Sequence, residues 1–443
     1  MADLMLPLPG LSPVSGKSVI ARFDGGLLSS DAGVLALREV EQRLGVADRL
    51  AGCIKDPRCQ DQVTHSLADM IRFRLLMISA GYPDGNDALS LRSDPVFKMA
   101  QDRLPSGQDL ASQSSISRLE NLPDVRSLLR MGQAMVDLYC TSFCAVPKRI
   151  VLDIDDTFDA VHGGQQLGLF NAHYDEYGFQ PIVVFDGEGR FVTALLRPAK
   201  RPKGTEIRSF LRRLIRAIRA KTEILIRADS HYCCPEVIDF CRANGLDFIL
   251  GVAPTTTLRA HIKALEASTL ARFEAGPKTK KLRRFKQFYD GAKSWSRVER
   301  IIARVEVGEQ GTDTRFIVTN LAGGKAKALY EDVYCRRGIA ENHIKSWKTH
   351  LAADRTSCTK ATANQFRLFL HAGAYWLMWG LRTMMPRRSR WRVAQFDTLR
   401  LRLIKIATRV VELKTQIRVH LPTACPDQVI LHAMLTRLPR LII

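Results

Sequence analysis

Along the first third of the chain, apolar residues recur at helical spacing. Between residues 31 and 43 they stand at 34, 35, 37 and 40, and residues 66–80 and 124–139 repeat the pattern more densely. Turn clusters separate these stretches, Gly81-Tyr-Pro-Asp-Gly85 and Leu104-Pro-Ser-Gly107 among them. Ser112-Gln-Ser-Ser-Ile-Ser-Arg118 supplies hydroxyl caps for a further helix start. From residue 149 the period changes. Arg149-Ile-Val-Leu-Asp-Ile-Asp155 is a short apolar run of strand character, and residues 180–185 and 190–196 are two more strands joined by the turn Asp186-Gly-Glu-Gly189.

A basic helix is expected over 206–220, a strand over 223–228, a helix over 235–244 ending at Gly245, and a strand over 247–251. The order βββ-α-β-α-β is that of an RNase H-like sheet. Residues 255–332 interrupt it with the basic run KTKKLRRFK (278–286) and strand-like pieces at 297–307 and 315–321. Helical patterns return at 334–348, 364–383 and 398–415, the last two separated by the basic tail Pro386-Arg-Arg-Ser-Arg-Trp-Arg392. The fold expected is therefore α/β. Residues 147–254 and 333–385 form an RNase H-like catalytic domain, 255–332 a β-rich insertion, 1–146 a helical N-terminal region and 386–443 a basic helical C-terminal region.

Charge narrows the partner. The 443 residues carry 66 Lys+Arg against 45 Asp+Glu, a formal +21, which attracts polyanions and releases counterions when it meets them. Double-stranded DNA is the expected partner and 1–146 the expected DNA-binding region. The ten cysteines include no paired C-x-x-C spacing and suit free thiols in a reducing compartment. No basic-then-apolar leader opens the chain, and the most apolar window, 366–381, is too short to span a bilayer. A cytoplasmic protein without membrane association is expected.

Chemistry concentrates in YCRRGIAENHIKSWK, residues 334–348. At 100° per residue, Tyr334, Arg337, Glu341 and Lys348 share a stripe about 60° wide. A carboxylate between cations on one helix face suits an acid that holds a metal while its neighbours, Lys345 included, hold something anionic. Its candidate partners follow apolar strands. In Asp153-Ile-Asp155-Asp156-Thr157 the pleat puts Asp153 and Asp155 on one face, and Ile226-Arg-Ala-Asp229 ends a strand in one acid. Asp155, Asp229 and Glu341, with Asp153 as alternate ligand, would suit two hard divalent ions, Mg²⁺ first and Mn²⁺ as substitute. The arginines at 208, 212, 216 and 219 form one stripe for a DNA backbone, with Lys280 and Arg283 in the insertion doing likewise. Trp295 could stack on an unpaired base.

The spacing Tyr334-x2-Arg337-x3-Glu341-x6-Lys348 resembles the signature around the catalytic glutamate of DDE transposases from bacterial insertion sequences, in the subgroup with a β-rich insertion before that residue. Asp155 in DIDDT and Asp229 in RADSHY are similar to that family's first and second acids. FDGGLLSSDAG (23–33), GYPDGND (81–87), SQSSISRLEN (112–121) and His162-Gly-Gly-Gln165 extend the resemblance over most of the chain. It implies metal-dependent cleavage at the ends of a mobile element and joining of the freed 3′-OH to target DNA. It also implies at least a homodimer in the active complex and a nucleoid-associated bacterial setting. Two rival readings stand beside it. Asp153-x-Asp155-x-Thr157 also resembles the opening motif of haloacid-dehalogenase-like phosphatases, with Asp153 as nucleophile. The other is a DNA-binding protein without catalysis.

Overall fold

The computed structural model describes residues 11–218, 222–276 and 281–437, which divide into two compact units. Among the described residues the first unit combines 11–122 with 373–437, and the second comprises 123–372.

In the first unit, helix α1 (Val34–Leu44) buries Val34, Leu37, Val40 and Leu44. Helix α2 (Leu67–Ala80) is almost wholly core. Its start is set by a reciprocal capping box between Ser66 and Asp69, and its end by Gly81 at φ 96°. Ser112 caps α3 (Gln113–Glu120) by accepting from the Ser115 amide. The motif residues upstream prove to be architectural. Asp31 of FDGGLLSSDAG is 1% exposed, accepts from the Tyr82 hydroxyl at 2.9 Å and pairs with Lys405 at 2.7 Å. Asp84 caps the short turn Gly85–Asp87. The stretch expected to be helical over 398–415 instead gives up its helix at Ile404. It continues as the strand Thr408–Glu412, paired on either side with Leu27–Ser29 and Ile417–His420. The β-branched Thr408, Val410 and Val411 suit that pleated setting.

In the second unit, helix α4 (Val125–Thr141) packs on the sheet strand Phe191–Leu195 and on helix Gly204–Ala217, although its sequence pattern grouped it with the N-terminal region. The sheet strands are β1 (Arg149–Asp156), β2 (Ile182–Asp186), β3 (Phe191–Leu195), β4 (Glu223–Ala228), β5 (Asp247–Val252), β6 (Leu282–Asp290), β7 (Glu299–Gly308) and β8 (Gly311–Thr319). Helix α5 (Gly204–Ala217) lies between β3 and β4, and α6 (Pro235–Ala243) between β4 and β5. The spatial order is β6-β7-β8-β5-β4-β1-β2-β3. Strands β1, β4 and β5 run parallel, and their neighbours on both sides are antiparallel. The segment expected as an insertion opens with helix α7 (Thr256–Glu274), which was not anticipated, and its three strands continue the same sheet from the edge of β5. A small second sheet, formed by 159–160, 169–171 and 176–179, follows β1 and was likewise not anticipated. Helix α8 (Gly338–Lys345) and the long helix α9 (Ala361–Thr383) close the order, the latter running on into the first unit from Gly373. Among the described residues no helix is long and apolar enough to cross a membrane.

Candidate active site

Two parallel strands deliver the first acids. β1 and β4 are in register with Ile154 opposite Ala228, so Asp155 and Asp229, one residue further on, leave adjacent strand ends. Asp229 turns the chain, its Oδ1 accepting from the His231 amide at 2.9 Å to cap the turn Ser230–Tyr232. The pleat sends Asp156 to the other face, where Gln180 donates to its Oδ2 at 2.8 Å. His231, which the sequence reading passed over, stands 3.8 Å from both Asp156 and Asp229. Its imidazole is raised above the usual range, first by its contact with Asp156.

Asp153 has a different task. Arg227 lies opposite it in the register, and the guanidinium holds both carboxylate oxygens at 2.6 Å in a fork that leaves Asp153 2% exposed. A third arm of Arg227 donates to the Val333 carbonyl at 2.7 Å, tying the pair to the segment that leads into α8. The alternate ligand of the sequence reading is thus committed to a buried ion pair.

The segment carrying Glu341 is helical throughout but not uniform. A π turn over Leu329–Tyr334 tightens to a 3₁₀ turn over Cys335–Arg337, becomes α8, and widens again over Ser346–His350. Such irregular turns re-aim side chains and recur at functional sites. They break the even 100° step on which the stripe was drawn. Trp347, fully buried against Phe191 of β3, anchors the segment to the sheet.

Arg337 is the hub. Its Nη1 donates to Asp155 Oδ2 at 2.6 Å and its Nη2 lies 3.5 Å from Glu341 Oε1, so one guanidinium spans the first and third acids. Glu341 is otherwise open to solvent, its side chain 64% exposed. Burial pushes the Asp155 carboxyl up to about 6; Arg337 opposes this, while Asp229 and Asp156 add to it. Tyr334 lays its hydroxyl over Gly251, where a Cβ would fall 2.7 Å from it. Lys348 is engaged elsewhere: its Nζ meets Asp159 at 3.2 Å and Thr157 at 3.3 Å and donates to the Phe158 carbonyl. Burial nevertheless raises the Asp159 carboxyl to about 7. Lys345 is exposed on α8.

A cleft of about 680 Å³ opens beside this cluster, lined by Asp229, Tyr334, Arg337 and Glu341 together with Arg259, Arg304 and Arg315. The last three escaped the sequence reading because they come from α7, β7 and β8, elements without a shared linear pattern. Of the more remote candidates, Arg212 is exposed and Arg208 half-buried on α5, whose opposite face buries Ile207, Leu211 and Leu214. Arg219 and Lys280 lie outside the described residues. Arg283 on β6 pairs with Glu306, and Trp295 sits half-buried in the loop between β6 and β7 rather than in a β core.

Among the described residues no three His, Cys, Asp or Glu side chains stand together as a metal site. The donor chemistry nonetheless fits a hard cation. Asp155, Asp229 and Glu341 offer oxygen ligands alone, and Asp155 lies in the field of two further carboxylates. In this arrangement the Arg337 guanidinium is the counter-charge between Asp155 and Glu341.

No curated protein matches the chain. Among solved structures it is similar to the piggyBac transposase synaptic complex with hairpin DNA, with 10% identity and a TM-score of 0.42 over 85% of this chain and 80% of that one. The family model described as transposase DDE domain group 1 matches residues 11–443, so the chain belongs to that family of DDE transposases.

Proposed function

We propose that this transposase binds the ends of its own mobile element, cleaves phosphodiester bonds there and joins the 3′-OH ends to target DNA. Asp155, Asp229 and Glu341 are its catalytic carboxylates. One observation carries the assignment: Asp155 and Asp229 leave neighbouring parallel strands, and the Arg337 guanidinium joins Asp155 to Glu341, which comes from a helix more than a hundred residues later. The strand order β5-β4-β1-β2-β3 supports an RNase H-like catalytic domain at 147–254 and 333–385, with 255–332 inserted before the glutamate.

Two divalent ions, Mg²⁺ by preference, would be held by Asp155, Asp229 and Glu341; when bound, they would stabilise charge on the attacking and leaving oxygens. The residues of this chain do the rest. Arg337 balances the acids in their absence and is placed to turn to a DNA phosphate in their presence. Tyr334 and Gly251 fix the floor of the cleft, and Arg259, Arg304 and Arg315 make its wall attractive to a backbone. Lys345, Arg208, Arg212, Lys280 and Arg283 are proposed outer backbone contacts, and Trp295 a stacking contact. A dimer or larger assembly and a bacterial insertion-sequence origin belong to the same reading. The phosphatase alternative is disfavoured, since its nucleophile would be Asp153, whose carboxylate is 2% exposed and held by Arg227.

The test is strand cleavage of a duplex carrying the element's terminal repeats, with Mg²⁺ or Mn²⁺. Glu341→Gln, Asp155→Asn and Asp229→Asn should each lower the rate by at least about 100-fold while leaving the thermal midpoint near wild type. Cleavage by Glu341→Gln at the wild-type rate would remove the assignment.

A further inference from the structure

A second cleft lies in the first unit, outside the acids' site. It encloses about 490 Å³ between the loop 58–65, the residues around Arg92 and the first turn of α3. Three of its lining residues are arginines, Arg58, Arg92 and Arg118, and none is acidic. Two of these cations are held in place from behind. Arg58 forks onto Asp56 at 2.8 and 2.6 Å and donates to the His65 carbonyl at 3.0 Å. Arg92 lies 3.4 Å from Asp109. Arg118 is exposed and makes a long contact of 3.4 Å to the Ser115 hydroxyl. Ser112 and Ser115 bring hydroxyl groups to the same opening, at a helix start whose amides favour anions.

The local field is positive as well as the count. His65, which lines the cleft and contacts Arg103 at 3.2 Å, is held below the usual imidazole range by burial, then by Arg103, with Arg92 and Arg58 adding to the effect and Asp69 opposing it. Arginines already oriented by a carboxylate lose little freedom when they meet a ligand, and a guanidinium retains donors after one carboxylate is satisfied. A folded core does not need three guanidiniums facing an open cavity. A polyanion does.

We propose that this cleft seats a backbone phosphate of duplex DNA, with Arg58, Arg92 and Arg118 as its cationic wall and the Ser112–Ser115 hydroxyls as its floor. The inference rests on the transposase reading for the identity of the polyanion and adds a contact remote in sequence from the carboxylates. It also gives SQSSISRLEN a role beyond capping α3.

The experiment uses the full chain, a fluorescein-labelled duplex of about 40 base pairs, no divalent ion, and anisotropy titrations between about 50 and 200 mM salt. Arg118→Gln and Arg58→Gln should each reduce the slope of log K against log salt by about 0.9, and Arg118→Lys should restore it. Lys414→Gln, an exposed cation of the same unit away from the cleft, should leave the slope unchanged. Unaltered melting curves guard against misfolding. If wild-type protein binds and the cleft variants keep its slope, or if Lys414→Gln loses as much, the cleft is not a phosphate seat. If wild-type protein does not bind the duplex at all, the DNA partner of the proposed function falls together with it.

Discussion

At the residue scale, one guanidinium and one buried fork decide how the acids behave. Asp153 and Asp155 lie two residues apart on the same face, yet Arg227 takes the first and leaves the second to Arg337, which lines the cleft. Removing one member of a buried pair strands the other charge, so Arg227→Leu should cost about 3–5 kcal/mol, measured by urea denaturation. Replacing Asp153 with Leu as well should recover much of the loss, and a single variant as stable as wild type would contradict the pairing. Asp155 makes a pH prediction. Its folded carboxyl is raised to about 6, so it is ionised above that pH and gains a proton as pH falls through it. Proton and divalent ion compete for this carboxylate, so activity at limiting Mg²⁺ should decline below about pH 6, and saturating Mg²⁺ should move the limb to lower pH. Arg337 lowers this value, so Arg337→Ala should move the acid limb of the rate profile to higher pH. An acid limb that stays in place would show that Asp155 does not set it.

At the element scale, the irregular turns around α8 matter more than its regular part. The stripe of Tyr334, Arg337, Glu341 and Lys348 was legible because the segment is helical throughout. What it concealed was the partner of each member. Arg337 faces Asp155, while Lys348 reaches back to Asp159 and pins the segment that follows β1. Tyr334 sits where β5 has no side chain: a Cβ on Gly251 would lie 2.7 Å from its hydroxyl and 3.0 Å from the Ser230 amide. Gly251→Ala should therefore push the π turn off the strand, costing about 1–3 kcal/mol and reducing cleavage more than DNA binding. Comparing melting temperature, cleavage rate and duplex affinity would check all three. The strands and helices over 149–252 were readable because β1, β4 and β5 each carry a short apolar core, Ile150–Leu152, Ile224–Ile226 and Phe248–Leu250. Helix α7 was passed over although Leu258, Ile262, Thr269 and Phe273 line one face at i, i+4, i+11 and i+15, because that stripe is narrow and most of the helix is exposed.

At the scale of the whole molecule, the net charge of +21 is spread over both units and over several elements of each. Many of the cations are internally paired, as Arg283 is with Glu306 and Lys405 with Asp31, so the charge surplus overstates the number available to DNA. Duplex affinity should still fall steeply with salt. Six to ten phosphate contacts would weaken it by about 10³ to 10⁵ between 50 and 200 mM, and an affinity indifferent to salt would argue against backbone recognition.

Taken alone, the amino-acid order indicated the five strands and two helices over 149–252, the basic character and three separated acids as site candidates. These are carried by local periodicity, composition and linear spacing. It could not decide which aspartate of DIDDT would stay available, which cations would be spent on internal pairs, or that arginines from α7, β7 and β8 would line one cleft. Those outcomes depend on register between strands distant in sequence and on which carboxylate each guanidinium can reach. Only the packed chain brings Arg227 opposite Asp153 and Arg337 opposite Asp155.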